Sequence, residues 1–347
     1  QPRDAAIETE YALTPVDEWP IRALSVYCFV YRVADAAVRD DIVARLSADP
    51  RIESAQRLNR FETSTDAAGG YDDTYASLQH GLALMGVTAA HRQSRGRGVR
   101  VAIVDGHIDV RHEELEGRIA RLDVFTEAGR EPDHAHGTAV ASVIGARSNN
   151  ARGIVGVAPE ADIELLVACW SERAGRSAVC DSFTLAKALD RVLRRPPHVL
   201  NLSLTGPEDA LLSRLLRRAG EAGVIIVAAA EPAAAGTASF PSSLNGVLPV
   251  RPASSHDAAD DGQTLFAPGR QIMVAVPNNA YDFRSGSSLA TAHVSGVIAL
   301  LLARNPELSF EAVRTLLTDS QRQTAAAVSV NACVALNLVD GETICRL

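Results

Sequence analysis

The 347-residue sequence predicts an α/β protein with a mostly parallel central sheet and helices on both faces. Apolar, β-branched runs alternate with helical patterns through most of the chain, which is typical of a parallel sheet whose strands are buried on both sides. With 47% hydrophobic and 22% charged residues, the chain can bury a full core and is not disordered. We therefore expect a functional site at the carboxyl ends of the strands, where open α/β sheets bind ligands.

A small α+β unit is predicted before this sheet. The segment Ile21–Val33 is rich in aromatic and β-branched residues and predicts a strand, and Asp35 is placed to cap a following helix. A second strand is expected around Ile52–Phe61. Between them, apolar residues recur at helical spacing: Val38, Ile42, Val43 and Leu46. We divide the chain into an N-terminal extension (1–62), a linker (63–74) and a main domain (75–347), because residues 63–70 are polar and end in two glycines.

In the main domain, strands and helices alternate in order. The predicted strands are Val101–Asp105, Ile163–Ala168, Val199–Leu204 and Val224–Ala229. The predicted helices are Thr138–Ala146, Phe183–Leu193, Ala210–Ala222, a helix that begins at Ser288, Ser309–Leu317 and Val330–Leu336. The longest apolar stretches are too short to span a bilayer, and a chain of net charge −8 without a long basic block is a poor ligand for nucleic acid. We expect neither a membrane nor a nucleic acid as a partner.

Three polar residues stand at the ends of these elements. Asp105 ends an apolar strand, His136 opens a helix of small residues, and Ser288 lies in the first turn of a helix that follows a Gly/Ser turn. Each has a plain structural alternative, as a strand-end cap, a packed turn residue or a helix cap. Together they are the parts of a serine nucleophile activated by an oriented histidine. The free N–H groups at the start of the helix would favour negative charge beside Ser288.

These segments resemble the subtilisin-like serine peptidases. The aspartate strand Val101–Asp105, the His-Gly-Thr helix His136–Gly145 and the serine helix Gly286–Gly296 carry the resemblance, which covers roughly residues 75 to 340. It implies a subtilisin-like fold and an endopeptidase that acts on polypeptides. In that reaction Ser288 attacks the carbonyl, His136 moves the proton and Asp105 orients the histidine. Linking segments also match the family: Asn149–Pro159, Asn201–Leu204 and Ala267–Gly269.

The chain departs from the family pattern at two places beside the nucleophile. Pro232 stands where the family places an asparagine that stabilises the oxyanion, and Glu231 adds a negative charge next to it. Loss of such a donor costs about 10²–10³ in kcat. In the substrate-binding stretch Ser203-Leu204-Thr205, the threonine replaces a common glycine. Its branched side chain is expected to favour small side chains before the cut, or to block entry.

The resemblance also carries expectations for the N-terminal unit and for calcium. The unit resembles the latter half of the family's propeptide, so this segment is expected to act as an intramolecular inhibitor; the alternative is a unit that only packs on the main domain. Glu114 and the pair Asn149-Asn150 stand where the family often binds a structural Ca²⁺, although exposed loop side chains explain them as well. We expect no other cofactor. His134 lies two residues before His136 without a ligand cluster to join it, and His107 replaces a usual glycine.

The cysteines favour an exported protein. Cys169 and Cys180 flank a short polar loop, Cys333 and Cys345 bracket the C-terminal tail, and Cys28 would stay free. Two short disulfides suit a secreted or periplasmic protein, whereas five reduced core cysteines are the alternative. The sequence starts without a Met and without a leader, so we expect any signal peptide to have been removed from this numbering.

Two further functions stay open beside the endopeptidase. A catalytically impaired relative could bind extended peptides or a protein partner, which Pro232 and Thr205 favour. An esterase could use the same three residues, because acyl transfer does not itself require an amide. The complete set of Asp105, His136 and Ser288 favours the endopeptidase.

Overall fold

The computed structural model describes most of the chain: residues 5–58, 70–127, 130, 132–172, 178–231, 239–253, 262–323 and 329–341. The chain divides into two compact units, residues 1–65 and 66–347. Pro232, Cys345 and much of the predicted linker lie outside the described residues.

The N-terminal unit is a hairpin and a helix. Its elements are α1 (Ala5–Glu10), β1 (Leu13–Ile21), β2 (Val26–Val33) and α2 (Arg39–Ala48). Strands β1 and β2 pair antiparallel, and Tyr11, Leu13 and Ile42 form their buried cluster with α2. Asp35 accepts a hydrogen bond from the Ala37 N–H (2.8 Å), as expected of a cap, although a short 3₁₀ turn precedes α2.

Two predictions for this unit were wrong. The first strand, β1, was missed because Pro15 and Pro20 interrupt its pattern; β1 tolerates them since only one side is paired, with a register shift beside Pro15. The strand expected around Ile52–Phe61 is absent from its described part, residues 52–58. There the chain is held by side chains instead, with the Arg57 guanidinium paired to Asp40.

The second unit contains most of the chain. Its strands are β3 (Arg100–Asp105), β4 (Ile119–Val124), β5 (Asp162–Val167), β6 (Cys169–Trp170), β7 (Val179–Cys180), β8 (Val199–Leu202), β9 (Ile225–Ala229), β10 (Val247–Pro252), β11 (Leu265–Ala267), β12 (Ile272–Val276) and β13 (Ala280–Arg284). Its helices are α3 (His80–Leu84), α4 (Val87–Ala90), α5 (Ala135–Gly145), α6 (Ser182–Arg194), α7 (Ala210–Glu221), α8 (Ser287–Arg304), α9 (Phe310–Arg322) and α10 (Ala332–Asp340).

Seven of these strands form one parallel sheet in the order β11-β10-β9-β8-β3-β5-β4. Alternate residues of β3 point to opposite faces. Val101 and Ile103 join the core under α5 and α8, whereas Ala102 and Val104 join the core under α6 and α7. Helices therefore cover both faces, and the predicted α/β fold class is confirmed.

Helix α8 lies at the centre of the larger core. Among the described residues it is the one helix with the length and apolar composition of a membrane span, and 83% of that stretch is buried within the protein. Such burial identifies a core helix. Away from the main sheet, β6 and β7 pair antiparallel and are joined by the Cys169–Cys180 disulfide, as predicted. Cys28 is free and exposed.

Candidate active site

Asp105 and His136 meet at the carboxyl edge of the sheet. Asp105 is the last residue of β3 and only 3% exposed, and His136 is in the first turn of α5. The His136 Nδ1–H donates to the carboxylate, with both oxygens at 2.9 Å, and the Gly106 N–H donates to Oδ1 at 2.7 Å. The Asp105 charge raises the pKa of His136 to about 9, because the carboxylate stabilises the imidazolium more than burial opposes it.

A close backbone approach makes this contact feasible. Gly137 follows His136, and a Cβ at that position would lie 2.6 Å from the carbonyl oxygen of His107. Only glycine lets α5 start this near to the loop after β3. The helix begins at Ala135, three residues before the predicted start, so His136 lies within its first turn.

Ser288 lies in the first turn of α8, at the same edge of the sheet. The helix has no side-chain cap, and within the described residues the N–H groups of Ser287 and Ser288 have no hydrogen-bond partner. These N–H groups and the helix dipole create a local site for negative charge. The Ser288 hydroxyl donates to the Ser203 carbonyl (3.2 Å), so in this conformation it is not bonded to His136.

A buried hydrogen-bond chain holds the segment after β8 against α8. The Ser295 hydroxyl donates to Asn201 Oδ1 (2.9 Å), and the Asn201 amide donates to Ser203 Oγ (2.9 Å). The Ser203 hydroxyl in turn donates to the carbonyl of Ser288 (3.1 Å). Ser203 is thus fixed beside the proposed nucleophile. This network was not predicted, since it joins residues that are far apart in sequence.

The other two residues of the predicted substrate-binding stretch differ in environment. Leu204 is half-buried and packs against the core under α6 and α7, whereas Thr205 is exposed. The following residue, Gly206, bridges to Phe240, and its N–H donates to the Phe240 carbonyl at 2.9 Å. The chain after β9 therefore returns to the chain after β8. Thr205 lies on the rim between these two segments.

Glu231 makes a contact that sequence reasoning missed. The Ser287 hydroxyl donates to Glu231 Oε1 at 2.6 Å, immediately before the proposed nucleophile. The sequence showed a negative charge near the expected oxyanion position, but it did not show that the Glu231 side chain is directed at Ser287. Pro232 itself lies outside the described residues, so its predicted role stays a prediction.

Two further histidines flank the Asp105–His136 pair. The rings of His107 and His134 lie 5.3 Å apart, and His134 Nδ1 is 3.2 Å from the Ile108 carbonyl. Burial, and to a lesser extent His134, lowers the pKa of His107. The described part of the chain contains no group of three or more metal-ligating side chains.

The expected calcium residues are occupied by hydrogen-bond donors. Glu114 is fully buried; its Oε1 accepts from the Ile154 N–H (2.8 Å) and the Tyr281 hydroxyl (2.9 Å), and Oε2 from Asn150 Nδ2 (3.4 Å). Burial raises the pKa of Glu114 to about 7. Among the described residues, one oxygen of a nearby carboxylate, Asp73, has no hydrogen-bond partner. These hydrogen bonds occupy carboxylate oxygens that a bound Ca²⁺ would need, and the calcium expectation stays a prediction.

Comparison with known proteins agrees with this geometry. A parallel α/β sheet with an aspartate–histidine pair and a helix-start serine at one edge is the arrangement expected of a hydrolase of the serine type. The model of the subtilase family matches residues 96–334. The chain belongs to the subtilase family, and the resemblance found in the sequence is confirmed.

Three relatives illustrate the kinship. Subtilisin BL from Lederbergia lenta is 30% identical over 278 residues, which cover 78% of this chain and 99% of that protein. The M-protease of Shouchella clausii is 30% identical over 278 residues, 78% of this chain and 70% of its own. The intracellular serine protease of Paenibacillus polymyxa is 30% identical over 242 residues, 65% of this chain and 72% of its own. This kinship supports serine endopeptidase chemistry in general.

Proposed function

We propose that the chain is an exported serine endopeptidase that hydrolyses peptide bonds through Asp105, His136 and Ser288. The observation that carries the proposal is the 2.9 Å contact of His136 with the buried Asp105, at the sheet edge where α8 begins. This contact fixes one ring tautomer, with the proton on Nδ1 and the lone pair on Nε2. Nε2 is then free to act as a base.

The reaction follows from these groups. The Ser288 hydroxyl turns from the Ser203 carbonyl towards His136, attacks the peptide carbonyl and passes its proton to Nε2. Asp105 stabilises the imidazolium, and the free N–H of Ser288 receives the negative oxygen of the tetrahedral intermediate. His136 gives the proton to the leaving amine as the C–N bond breaks. Water then repeats the sequence and releases the acid. No cofactor takes part in these steps.

The segment after β8 is the proposed substrate-binding edge. Ser203, Leu204 and Thr205 continue β8 beyond its last paired residue, where an extended peptide adds a strand by backbone hydrogen bonds. The exposed Thr205 narrows the wall beside the residue before the cut, so slender side chains are favoured. We assign the N-terminal unit, by the same family resemblance, as the chain's own inhibitor.

Export is supported by the disulfide between Cys169 and Cys180, because such bonds persist in oxidising compartments. We propose a secreted or periplasmic location. The second predicted pairing, Cys333 with Cys345, stays a prediction because Cys345 lies outside the described residues.

A second function, peptide or protein binding without cleavage, is favoured by one observation. Glu231 brings a carboxylate to the residue next to Ser288, where catalysis needs hydrogen-bond donors. A site with this charge binds an extended peptide without stabilising the oxyanion.

We further propose that the Glu114 loop is held by its hydrogen bonds rather than by calcium. Thermal unfolding measured with excess Ca²⁺ and with a chelator tests this. We expect the two Tm values to agree within about 1 °C, whereas a saturable rise with Ca²⁺ would restore the ion site.

Labelling with a fluorophosphonate, which reacts only with an activated serine, tests the endopeptidase. We expect wild-type protein to be labelled and Ser288→Ala not to be. Ser285→Ala is the matched control, because its hydroxyl accepts from the Gln271 N–H (2.9 Å) in the same turn and is not the proposed nucleophile. Absence of labelling in the wild type, also after removal of residues 1–65, would overturn the endopeptidase proposal and favour the binding function.

A further inference from the structure

The chain segments that follow β8 and β9 both contact the first turn of α8, beside Ser288. The two strands are neighbours in the sheet, with Leu202 opposite Ala228, and both lead towards the first turn of α8. Ser203 contacts Ser288 after the first strand, and Glu231 contacts Ser287 after the second. In the proposed reaction the carbonyl carbon before the cleaved bond becomes bonded to Ser288 Oγ, which brings the preceding side chain close to these two segments.

Two hydrogen bonds fix Glu231 beside Ser288, one through its side chain and one through its backbone. Its Oε1 receives the Ser287 hydroxyl at 2.6 Å, and its backbone N–H donates to Ser239 Oγ at 3.3 Å. Ser287 is itself only 8% exposed, so the hydroxyl that orients the carboxylate is fixed by the core helix. An exposed glutamate without such contacts would sample many rotamers, whereas this one has a defined direction.

The carboxylate lacks a counter-charge. Within the described residues Glu231 has no ion-pair partner and its second oxygen has no hydrogen bond, although the side chain is exposed. Some other surface carboxylates of this unit have an arginine partner, as Glu221 has in Arg218 and Asp319 in Arg322. A negative charge beside Ser288 also opposes the oxyanion that develops there. A cation on the substrate would supply the missing counter-charge of Glu231 and would reduce its repulsion of the oxyanion.

We propose that Glu231 is a specificity-determining residue that selects a lysine or arginine immediately before the cleaved bond. The inference rests on the proposed function and names its substrate class. The substrate's ammonium or guanidinium donates to the open oxygen of Glu231 and neutralises the charge next to the oxyanion. This assignment replaces the expectation of small side chains before the cut. The unbranched stems of lysine and arginine are obstructed less by the Thr205 side chain than branched or ring side chains are.

Two substrates and two variants test the assignment. The substrates are peptide anilides that differ only in carrying lysine or norleucine before the anilide, so that length is matched and charge is not. We expect wild-type kcat/KM to favour lysine by about tenfold or more, the effect of one charge-assisted contact. In Glu231→Gln, which keeps an acceptor for Ser287, the ratio falls to about one and turnover of the norleucine substrate rises. Glu307→Gln removes an equal charge from the exposed turn after α8 and keeps the wild-type ratio.

A binding measurement separates this inference from the proposed function. Peptides that end in lysine or norleucine are titrated into Ser288→Ala by calorimetry, without and with Glu231→Gln. A preference for lysine that disappears with Glu231→Gln supports the assignment even if the wild type proves inactive, and then the endopeptidase proposal alone fails. Equal binding and equal kcat/KM for both peptides, in a wild type that the fluorophosphonate labels, would overturn the role of Glu231 and leave the endopeptidase intact.

Discussion

Replacement of Asp105 by asparagine tests the electrostatic coupling at the centre of the site. The rise of the His136 pKa from 6.5 to about 9 corresponds to about 3 kcal/mol at 1.36 kcal/mol per pKa unit. Because 35% of the His136 side chain is exposed, solvent screening reduces this interaction to about 1–2 kcal/mol. His136 acts as a base only when neutral. The wild-type kcat/KM should therefore rise with pH well into the alkaline range before it levels off.

In Asp105→Asn the carboxylate charge is lost, so the acid limb of the pH profile should move down by about one to two pH units. The residual kcat/KM should be lower by about 10⁴, because the amide no longer favours the useful tautomer. The assay is kcat/KM of an uncharged peptide anilide between pH 5 and 10. Asp133→Asn is the control, since its carboxylate is the weakest of the causes that raise the His136 pKa.

The interaction between Asp105 and His136 also makes the stability of the fold depend on pH. A raised histidine pKa stabilises the fold below pH 6.5, and this contribution disappears as the pH rises through about 9. Asp105→Asn should then lower the free energy of unfolding at pH 6 and change it little at pH 10. A wild-type acid limb at or below pH 6.5, or the same limb in both proteins, would refute the reasoning.

Three further predictions concern stability. Glu114→Gln should reduce the pH dependence of stability, because a buried carboxyl with a pKa of about 7 favours the fold when protonated. In urea titrations the unfolding free energy of the wild type should fall between pH 4.5 and 8 by about 2 kcal/mol more than that of the variant, which keeps the contribution of His136. Gly153→Ala should lower the unfolding free energy by more than about 3 kcal/mol, because the new Cβ would overlap Glu114 and Tyr281. Gly223→Ala is the control: this glycine also has a positive φ, but its Cβ would meet no atom of the described residues within 4 Å, so the loss should be about 1–2 kcal/mol. Similar losses of Tm in the two variants would contradict this prediction. Cys169→Ser should cost about 2–3 kcal/mol, since the disulfide closes an 11-residue separation, and a reductant should then lower the Tm of the wild type more than that of the variant.

The sequence was sufficient to predict the positions where a reactive side chain stands at the start or end of a clear strand or helix pattern. Asp105, His136 and Ser288 each end or begin a buried run, so their common edge followed from the parallel sheet. The start of α5 was placed too late because His134 and Ala135 lack a capping signal. The N-cap residue His134 makes no side-chain cap hydrogen bond, and the Ala135 N–H donates to Asp133 Oδ1 instead, at 2.9 Å.

Long-range contacts were beyond sequence reasoning. The bond from Ser287 to Glu231 joins residues 56 apart, and the bond from Tyr281 to Glu114 joins residues 167 apart. Neither pair carries a local pattern, because the register between a strand end and a distant helix depends on packing of the whole core. The glutamate next to the expected oxyanion position was visible in the sequence, and its direction was not.

Because Ser288 is part of helix α8, the position of the proposed nucleophile depends on the integrity of the core. Ser288 belongs to α8, a helix of which 83% is buried in the core, so unfolding of the core also displaces Ser288. In solution a peptidase meets other copies of itself, and an unfolded copy is a substrate for a folded one. A molecule that has lost its core has also lost the position of Ser288. Under the proposed endopeptidase function, an unfolded copy is therefore a substrate for folded copies and cannot cleave them, so we expect self-digestion to remove unfolded molecules first.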